Sequence, residues 1–124
     1  MPKKPKPGGS VFEPRSRLSP AGGFGKVSIP LAPVGEQDAQ FDAAQFQHLI
    51  SNAVRECVLA QHDSLRSFVE TLKAEPTMSY ERLSRILRGE TMMTMTDLLI
   101  WCSQFELVAA LVARLVATDR VNAA

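Results

Sequence analysis

Proline and glycine are concentrated at one end of the chain, and this asymmetry constrains the fold more than any other feature. Seven of the eight prolines and six of the seven glycines lie in residues 1–35, whereas the rest of the chain contains only Pro76 and Gly89. Proline lacks a backbone N–H and disfavours helix interiors, and glycine raises the entropic cost of ordering. The sequence therefore predicts a flexible arm over residues 1–37 and a folded domain over residues 38–121.

Charge divides the chain in a similar way. Residues 1–26 carry six Lys or Arg against Glu13 alone, a net charge of +5, although the whole chain has a net charge of only +1. The predicted arm is therefore basic and disordered, and it would add sequence-independent affinity for DNA by displacing counterions. The stretch VSIPLAPV (residues 27–34) is apolar and proline-spaced. We interpret it as a linker, or as an extended segment that docks on the body or on a protein partner.

Length and composition exclude several classes of protein. The 124 residues suffice for one domain and leave no room for a two-domain enzyme. No apolar run is long enough to span a bilayer, and no charged start precedes a continuous apolar region, so we expect neither a membrane protein nor a secretory signal. Cys57 and Cys102 are too few for a disulfide-stapled domain and are typical of a reducing compartment, so we expect a cytoplasmic protein.

Apolar residues at three- and four-residue intervals predict five helices after residue 37. The first begins at Asp38 or Asp42, the second at Asp63 or Ser64, the third at Thr77 or Ser79, the fourth at Thr94 or Thr96, and the last at Leu107. Pro76 ends the second helix or lies just beyond its end, and Gly89 follows the third helix where a left-handed C-cap residue is favoured. The fold class is therefore all-α, a compact five-helix domain.

The third helix (residues 79–88) carries three arginines on its outer side. With Leu83 directed to the core, a step of about 100° per residue places the other large apolar side chains of this helix inside. The outward residues are Glu81, Arg85 and Arg88, with Arg82 and Ser84 on the flanks. Arginines at spacing three repel one another, and an anionic partner would relieve the repulsion. Such a helix fits a DNA major groove; the alternative is a solvated face in which Glu81 and Arg85 pair.

Two motifs add a resemblance to a known family. SYERLSRILRGE is similar to the recognition helix and closing glycine of the lambda-repressor/Cro-type (Xre-like) helix-turn-helix family, and TMTDLLIWCSQF resembles the fourth helix of that family. The resemblance covers residues 64–107 and implies a sequence-specific transcriptional regulator, such as a phage or plasmid repressor, that binds double-stranded DNA as a homodimer. Counted from Gly89, it implies base contacts at Tyr80, Glu81 and Arg85, and phosphate contacts near Ser79, Arg82, Arg88, Thr91 and Thr94.

The chain departs from the family pattern before the third helix. Between Phe68 and Gly89 it has about four residues more than usual, around Lys73–Pro76, and the turn glycine of the family is missing. Either the second helix is a turn longer or the connecting turn is wider. The angle between the second and third helices is open for the same reason.

The last helix is apolar nearly all round, which is typical of a helix that is buried on more than one side. Four other short helices cover only one of those sides, so we predict a two-fold contact with a second copy. The predicted interface residues are Leu107, Leu111, Val112, Leu115 and Val116. The alternative is a C-terminal helix that packs entirely within its own chain.

We expect no metal site, no cofactor and no enzymatic activity. His48, Cys57, His62 and Cys102 lack the spacing of a zinc site, and no base stands beside a nucleophile. Trp101 lies one position off the apolar stripe of its helix and is expected to be half exposed at an interface. Two other functions remain open: a protein-interaction adaptor (antitoxin-like or polymerase-binding), and a non-specific nucleoid or RNA-binding protein.

Overall fold

The structure is a computed structural model that describes residues 12–72 and 78–123, and the side chains of the last helix as far as Ala117. Its helices confirm the all-α prediction. They are α1 (Ala39–Gln61), α2 (Leu65–Glu70), α3 (Tyr80–Leu87), α4 (Met95–Gln104) and α5 (Glu106–Ala123). Two short strands, β1 (Leu18–Ser19) and β2 (Ala32–Pro33), pair antiparallel ahead of α1. Within the described residues, no helix is both long and apolar enough to cross a bilayer.

Four helices begin after an N-cap residue whose side chain accepts a hydrogen bond from a backbone N–H in the first turn of the helix. The capping residues are Asp38 for α1, Ser64 for α2, Ser79 for α3 and Thr94 for α4. Each is one of the two positions that the sequence predicts, and an N-cap of this type is worth about 1 kcal/mol. For α4 the cap is reciprocal, because the Asp97 carboxylate accepts the Thr94 N–H in return.

The main core forms around α1, which contacts α2, α3 and α5. Its buried row of Ile50, Val54 and Val58 belongs to one cluster with large side chains from the other helices. Those are Phe68, Leu83, Ile86, Leu87, Trp101, Phe105 and Val108. The prediction that Trp101 is half exposed is wrong: the indole is fully buried, whereas Leu99 is 60% exposed. Helix α4 is therefore turned about its own axis relative to the predicted orientation, so that Trp101 faces the core and Leu99 faces solvent. Burying the large indole removes more apolar area from water.

Residues 12–37, here called the N-terminal segment, fold against the helices. Two 3₁₀-helices (Pro14–Arg17 and Ala21–Gly23) flank β1, and Leu18 and Phe24 form a second buried cluster with Phe41 of α1. The prediction of a flexible, disordered arm over 1–37 is therefore wrong from residue 12 onward, and residues 1–11 lie outside the described residues. Proline excludes α-helix, but it is compatible with 3₁₀ and extended backbone, and the two apolar side chains supply the burial.

Arg17 and the stretch 27–34 fix the N-terminal segment to the start of α1. The Arg17 guanidinium donates to the Val34 carbonyl at 3.1 Å and lies 3.0 Å from an Asp38 carboxylate oxygen. The Val27 N–H donates to the Asn52 side chain at 3.2 Å. Of the two interpretations of VSIPLAPV, docking on the body is the one observed, and a free linker is not.

Helices α2 and α3 are joined by nine residues, from Thr71 to Ser79. This exceeds the three- to four-residue turn of a helix-turn-helix pair. The two ends of the connection are anchored, since Leu72 and Met78 are both buried in the main core. Residues 73–77, which include Thr77 and the lengthened turn predicted around Lys73–Pro76, lie outside the described residues.

Candidate nucleic-acid interface

Helix α3 buries one side and exposes the other, as its helical periodicity predicts. Its apolar residues Leu83, Ile86 and Leu87 have no exposed area. The outward side carries Glu81 and Arg85, which are exposed, with Ser84 half-buried between them. A shallow depression on this side is lined by Tyr80, Glu81, Ser84, Arg85 and Arg88. The predicted base-contacting residues therefore lie together on one surface.

Each arginine of the row on α3 has its own carboxylate partner. The Arg82 guanidinium makes two hydrogen bonds to Asp97, at 2.6 and 2.7 Å, and that carboxylate is only 1% exposed. Arg88 Nε lies 2.7 Å from Glu90, and Arg85 lies 3.7 Å from Glu81 in an exposed i, i+4 pair. The partners are Asp97, Glu81 and Glu90, so repulsion along the row is neutralised within the chain. The Arg85 pair is the most exposed of the three and is worth a few tenths of a kcal/mol.

The Arg82–Asp97 pair fixes α3 to α4. Asp97 accepts from the guanidinium of Arg82 and also from the backbone N–H and hydroxyl of Thr94. A buried carboxylate with this many donors is well compensated for its desolvation. Arg82 and Thr94, both predicted near phosphates, are therefore engaged inside the domain through their side chains.

The N-terminal end of α3 is held by α2. The Arg66 guanidinium stacks on the Tyr80 ring with 4.0 Å between its central carbon and the ring centroid. Cation–π contacts of this kind contribute about 0.5–1 kcal/mol at exposed sites. Arg66 is a residue that the sequence analysis did not single out, and a basic residue on α2 gives no local signal of its aromatic partner.

The C-terminal end of α3 is closed by Gly89 and the N-terminal segment. Gly89 has φ +74°, the left-handed conformation predicted for this position. A Cβ added there would come within 2.7 Å of the Phe24 ring, and the Arg15 N–H donates to the Gly89 carbonyl at 3.0 Å. Glycine is needed at this position both for its backbone conformation and for the close approach of the Phe24 ring.

Gln47 of α1 fixes the turn between α3 and α4. Its side-chain nitrogen donates to the carbonyls of Ile86 and Thr91, at 3.0 and 2.9 Å, and its oxygen accepts the Met93 N–H at 2.8 Å. Gln47 is fully buried. Sequence reasoning missed it, although a signal exists: it lies three residues before Ile50, in register with the buried row of α1. Thr91, predicted as a phosphate contact, is half-buried and positioned by this glutamine.

The predicted interface residues on α5 divide into two groups. Leu111, Val112 and Leu115 are half-buried and pack against the main core, whereas Leu107 is 70% exposed and Val116 is 46% exposed. A groove between α1 and α5 has Leu107 and Leu111 in its wall. The first group therefore contributes to the core of a single chain, whereas Leu107 and Val116 remain exposed to solvent.

The cysteines and histidines lie apart. Across residues 12–72 and 78–123, no group of three His, Cys, Asp or Glu side chains is arranged to hold a metal ion. Cys57 is buried, and desolvation raises the pKa of its thiol, with a smaller effect from the negative charge of Glu56. His48 contacts the Phe24 ring edge-on, and His62 contacts Phe68 and Phe105 in the same manner.

No protein-family model matches this chain, and no curated protein or solved structure matches it either. The Xre-like family therefore stays a resemblance, carried by the motifs within residues 64–107.

Proposed function

We propose that the chain is a sequence-specific DNA-binding transcriptional regulator that reads the major groove with α3. The observation that carries the proposal is the support of α3, which is fixed by other elements at both ends and along its buried side. A helix that reads bases must present its side chains in one orientation, and such pre-organisation lowers the cost of binding. The exposed side then presents Glu81 and Arg85 on a rigid support.

In the proposed complex, Arg85 makes the main base contact. Its guanidinium donates to O6 and N7 of a guanine, while Glu81 accepts from a cytosine amino group and Tyr80 contacts a thymine methyl or a phosphate. The exposed Glu81–Arg85 pair is weak and exchanges readily for these contacts. Arg82 takes a different role from the one that the resemblance implies: held by Asp97, it orients α3 and is not free to clamp a phosphate.

The remaining candidate residues would fix the register on the phosphate backbone. Arg88 is 54% exposed at the C-cap of α3, and Ser79 is exposed at the N-cap. Ser84 lies on the outer side of α3 and Thr91 follows that helix, whereas the Thr94 hydroxyl is held by Asp97. Contacts of this kind position the protein but carry no sequence information.

We further propose that the regulator is a homodimer through α5. The support is the exposed Leu107, which lies in the wall of the apolar groove between α1 and α5, together with the exposed Val116 further along the same helix. Exposed apolar side chains that are contiguous with a groove are typical of protein interfaces. A two-fold arrangement would set the two copies of α3 roughly one helical turn of DNA apart, about 34 Å, and would favour a near-palindromic operator.

The test begins with selection of bound sequences from a random DNA pool. On the selected site, Arg85→Ala should cost about 1–3 kcal/mol and relax the preference at one base pair. Arg88→Ala should instead weaken all sequences alike and lower the salt slope by about one. Arg114→Ala removes an exposed arginine from the wall of the groove between α1 and α5. It is the control at a concentration where light scattering gives it the same mass as the full chain, and there it should change neither quantity.

Two results would contradict the proposal. Recovery of no preferred sequence, with equal affinity for all duplexes, would favour a non-specific nucleic-acid-binding protein. Absence of any DNA binding by the folded chain would favour a protein-interaction adaptor, for which the exposed apolar residues of α5 would be the contact.

A further inference from the structure

Arg55 of α1 lies beside the end of α3 and lacks the carboxylate partner that the arginines of α3 have. The arginines with a carboxylate oxygen within 4 Å are Arg15, Arg17, Arg82, Arg85 and Arg88. Among the described residues, Arg55, Arg66 and Arg114 have no such partner, and Arg55 is the one of these three whose Nε atom is buried without a hydrogen bond. An uncompensated charge in a partly buried position costs free energy, and an anionic ligand would remove that cost.

Arg55 lies at the C-terminal end of α3. A methyl group added to Gly25 would come within 3.3 Å of Arg55 Nε, and the same glycine lies against the Leu87 carbonyl in the last turn of α3. Burial lowers the pKa of the Arg55 guanidinium, and the positive charge of Arg88 lowers it further. The Arg55 guanidinium therefore lies beside the last turn of α3, near enough to Arg88 for the two positive charges to interact.

The carboxylates at this end of α3 leave Arg55 unpaired. Glu90 contacts Arg88 Nε at 2.7 Å, and Glu13 contacts Arg15 Nε at 3.0 Å, with Arg15 also 3.9 Å from Glu90. Neither carboxylate lies within 4 Å of Arg55 in the described part of the chain. The end of α3 thus has an excess of positive charge next to the proposed base-reading surface.

We propose that Arg55 and Arg88 form an anion site that takes a backbone phosphate of the duplex beside the bases read by α3. Arg55 supplies a guanidinium whose position is fixed by burial of its Nε, and Arg88 supplies a second one that is more than half exposed. Paired guanidinium groups match the geometry of a phosphate. This inference rests on the proposed function, and it adds α1 to the DNA-contacting elements.

A purely structural role for Arg55 makes a different prediction. A cation at a helix C-terminus interacts favourably with the exposed carbonyl dipoles and stabilises the helix. If that were its whole role, Arg55→Gln would lower the melting temperature by the same amount in chloride and in phosphate, and it would leave the salt dependence of DNA binding unchanged.

The experiment compares the full chain with Arg55→Gln, with Arg55→Met, which retains the aliphatic packing, and with Arg114→Gln as the exposed-arginine control. On the selected duplex, both Arg55 variants should bind about fivefold to tenfold more weakly at low salt. The slope of log K against log salt should fall by about 0.9, one released counterion, without a change in base preference. The Arg114→Gln variant should match the full chain.

A second measurement needs no DNA. Inorganic phosphate, at constant ionic strength against chloride, should raise the melting temperature of the full chain and of Arg114→Gln, but not of either Arg55 variant. An unchanged salt slope in folded Arg55 variants would overturn the inference and leave the proposed function standing. If the full chain binds no DNA, Arg55-dependent phosphate stabilisation would still support an anion site, and its absence would overturn it.

Discussion

Helices α3 and α5 both pack on α1, but they meet solvent with opposite chemistry. The outer side of α3 carries an exposed Glu81–Arg85 pair, and polar bonds from three other elements hold the helix in place. The outer side of α5 leaves Leu107 and Val116 exposed, and its contacts with the core are apolar. The proposed function assigns the two surfaces different partners: a charged one, DNA, for α3 and an apolar one, a second copy, for α5. Four predictions test this division.

The largest effect is expected from Phe24→Ala in the N-terminal segment. The ring is buried against Gly89 and His48, and removal of a buried phenylalanine side chain costs about 3–5 kcal/mol. Urea unfolding should show this loss, whereas Val27→Ala, at a position 49% exposed in the same segment, should change stability by less than about 0.5 kcal/mol. Equal stability of the two variants would mean that the segment does not support α3.

Gln47→Leu should follow, with a loss of about 2–4 kcal/mol in the free energy of unfolding. The substitution leaves the Thr91 carbonyl and the Met93 N–H without a partner, at about 1–3 kcal/mol each before relaxation, whereas the Ile86 carbonyl still accepts the Gly89 N–H. Where the variant is still folded, its DNA affinity should fall while its self-association is unchanged. Gln45→Leu, an exposed position on the same helix, is the matched control. A parallel loss of self-association would contradict the separation of the two surfaces.

The reverse pattern is expected from Leu107→Glu and Val116→Glu on α5. Both side chains are exposed, so the charges should leave folding intact, yet each should weaken self-association by about 1–2 kcal/mol. Leu111 and Leu115 are unsuitable for this test because they pack against the core. Light scattering at tens of micromolar gives the mass directly. A wild-type chain that is monomeric at that concentration would exclude the α5 dimer.

The smallest effect concerns acid. The Gly25 N–H donates to His48 Nδ1 at 2.8 Å, and burial lowers the pKa of this histidine from 6.5. Since the unfolded chain binds the proton more readily, stability should fall as the pH drops below about 6.5, by about 1 kcal/mol for the lost hydrogen bond. His48→Asn keeps an acceptor near the same position without titrating. If this histidine is responsible, the melting temperatures of the wild-type chain and of His48→Asn should approach each other as the pH is lowered from 7 to 5.

Local features were predictable from the sequence, and long-range partners were not. The caps at Ser79 and Thr94, and the left-handed Gly89, depend on neighbours within a few residues, so the sequence pattern is enough to find them. The same holds for the burial of Leu83 and the exposure of Arg85. Each of these depends on helical periodicity alone.

The missed features depend on contacts between distant parts of the chain. Gln47 is understood only from the three backbone groups that it satisfies in the last turn of α3 and in the connection to α4, and Arg82 only from Asp97 on the next helix. The N-terminal segment was misjudged because its proline and glycine content argues against an α-helix, not against packing. Phe24 was the residue that indicated packing, and its partner Gly89 lies at the far end of α3.

The bond from the Arg15 N–H to the Gly89 carbonyl also constrains the order of folding. The residues that close α3 precede both α1 and α3 in the chain, yet they have nothing to close until those two helices have been synthesised. Contacts between such distant residues require a large loop to form, and they slow folding relative to the local contacts of the helices. We therefore expect a nascent chain to form α1 early and to complete the end of α3 late, so that the surface proposed to read DNA matures only when the N-terminal segment has packed against Gly89.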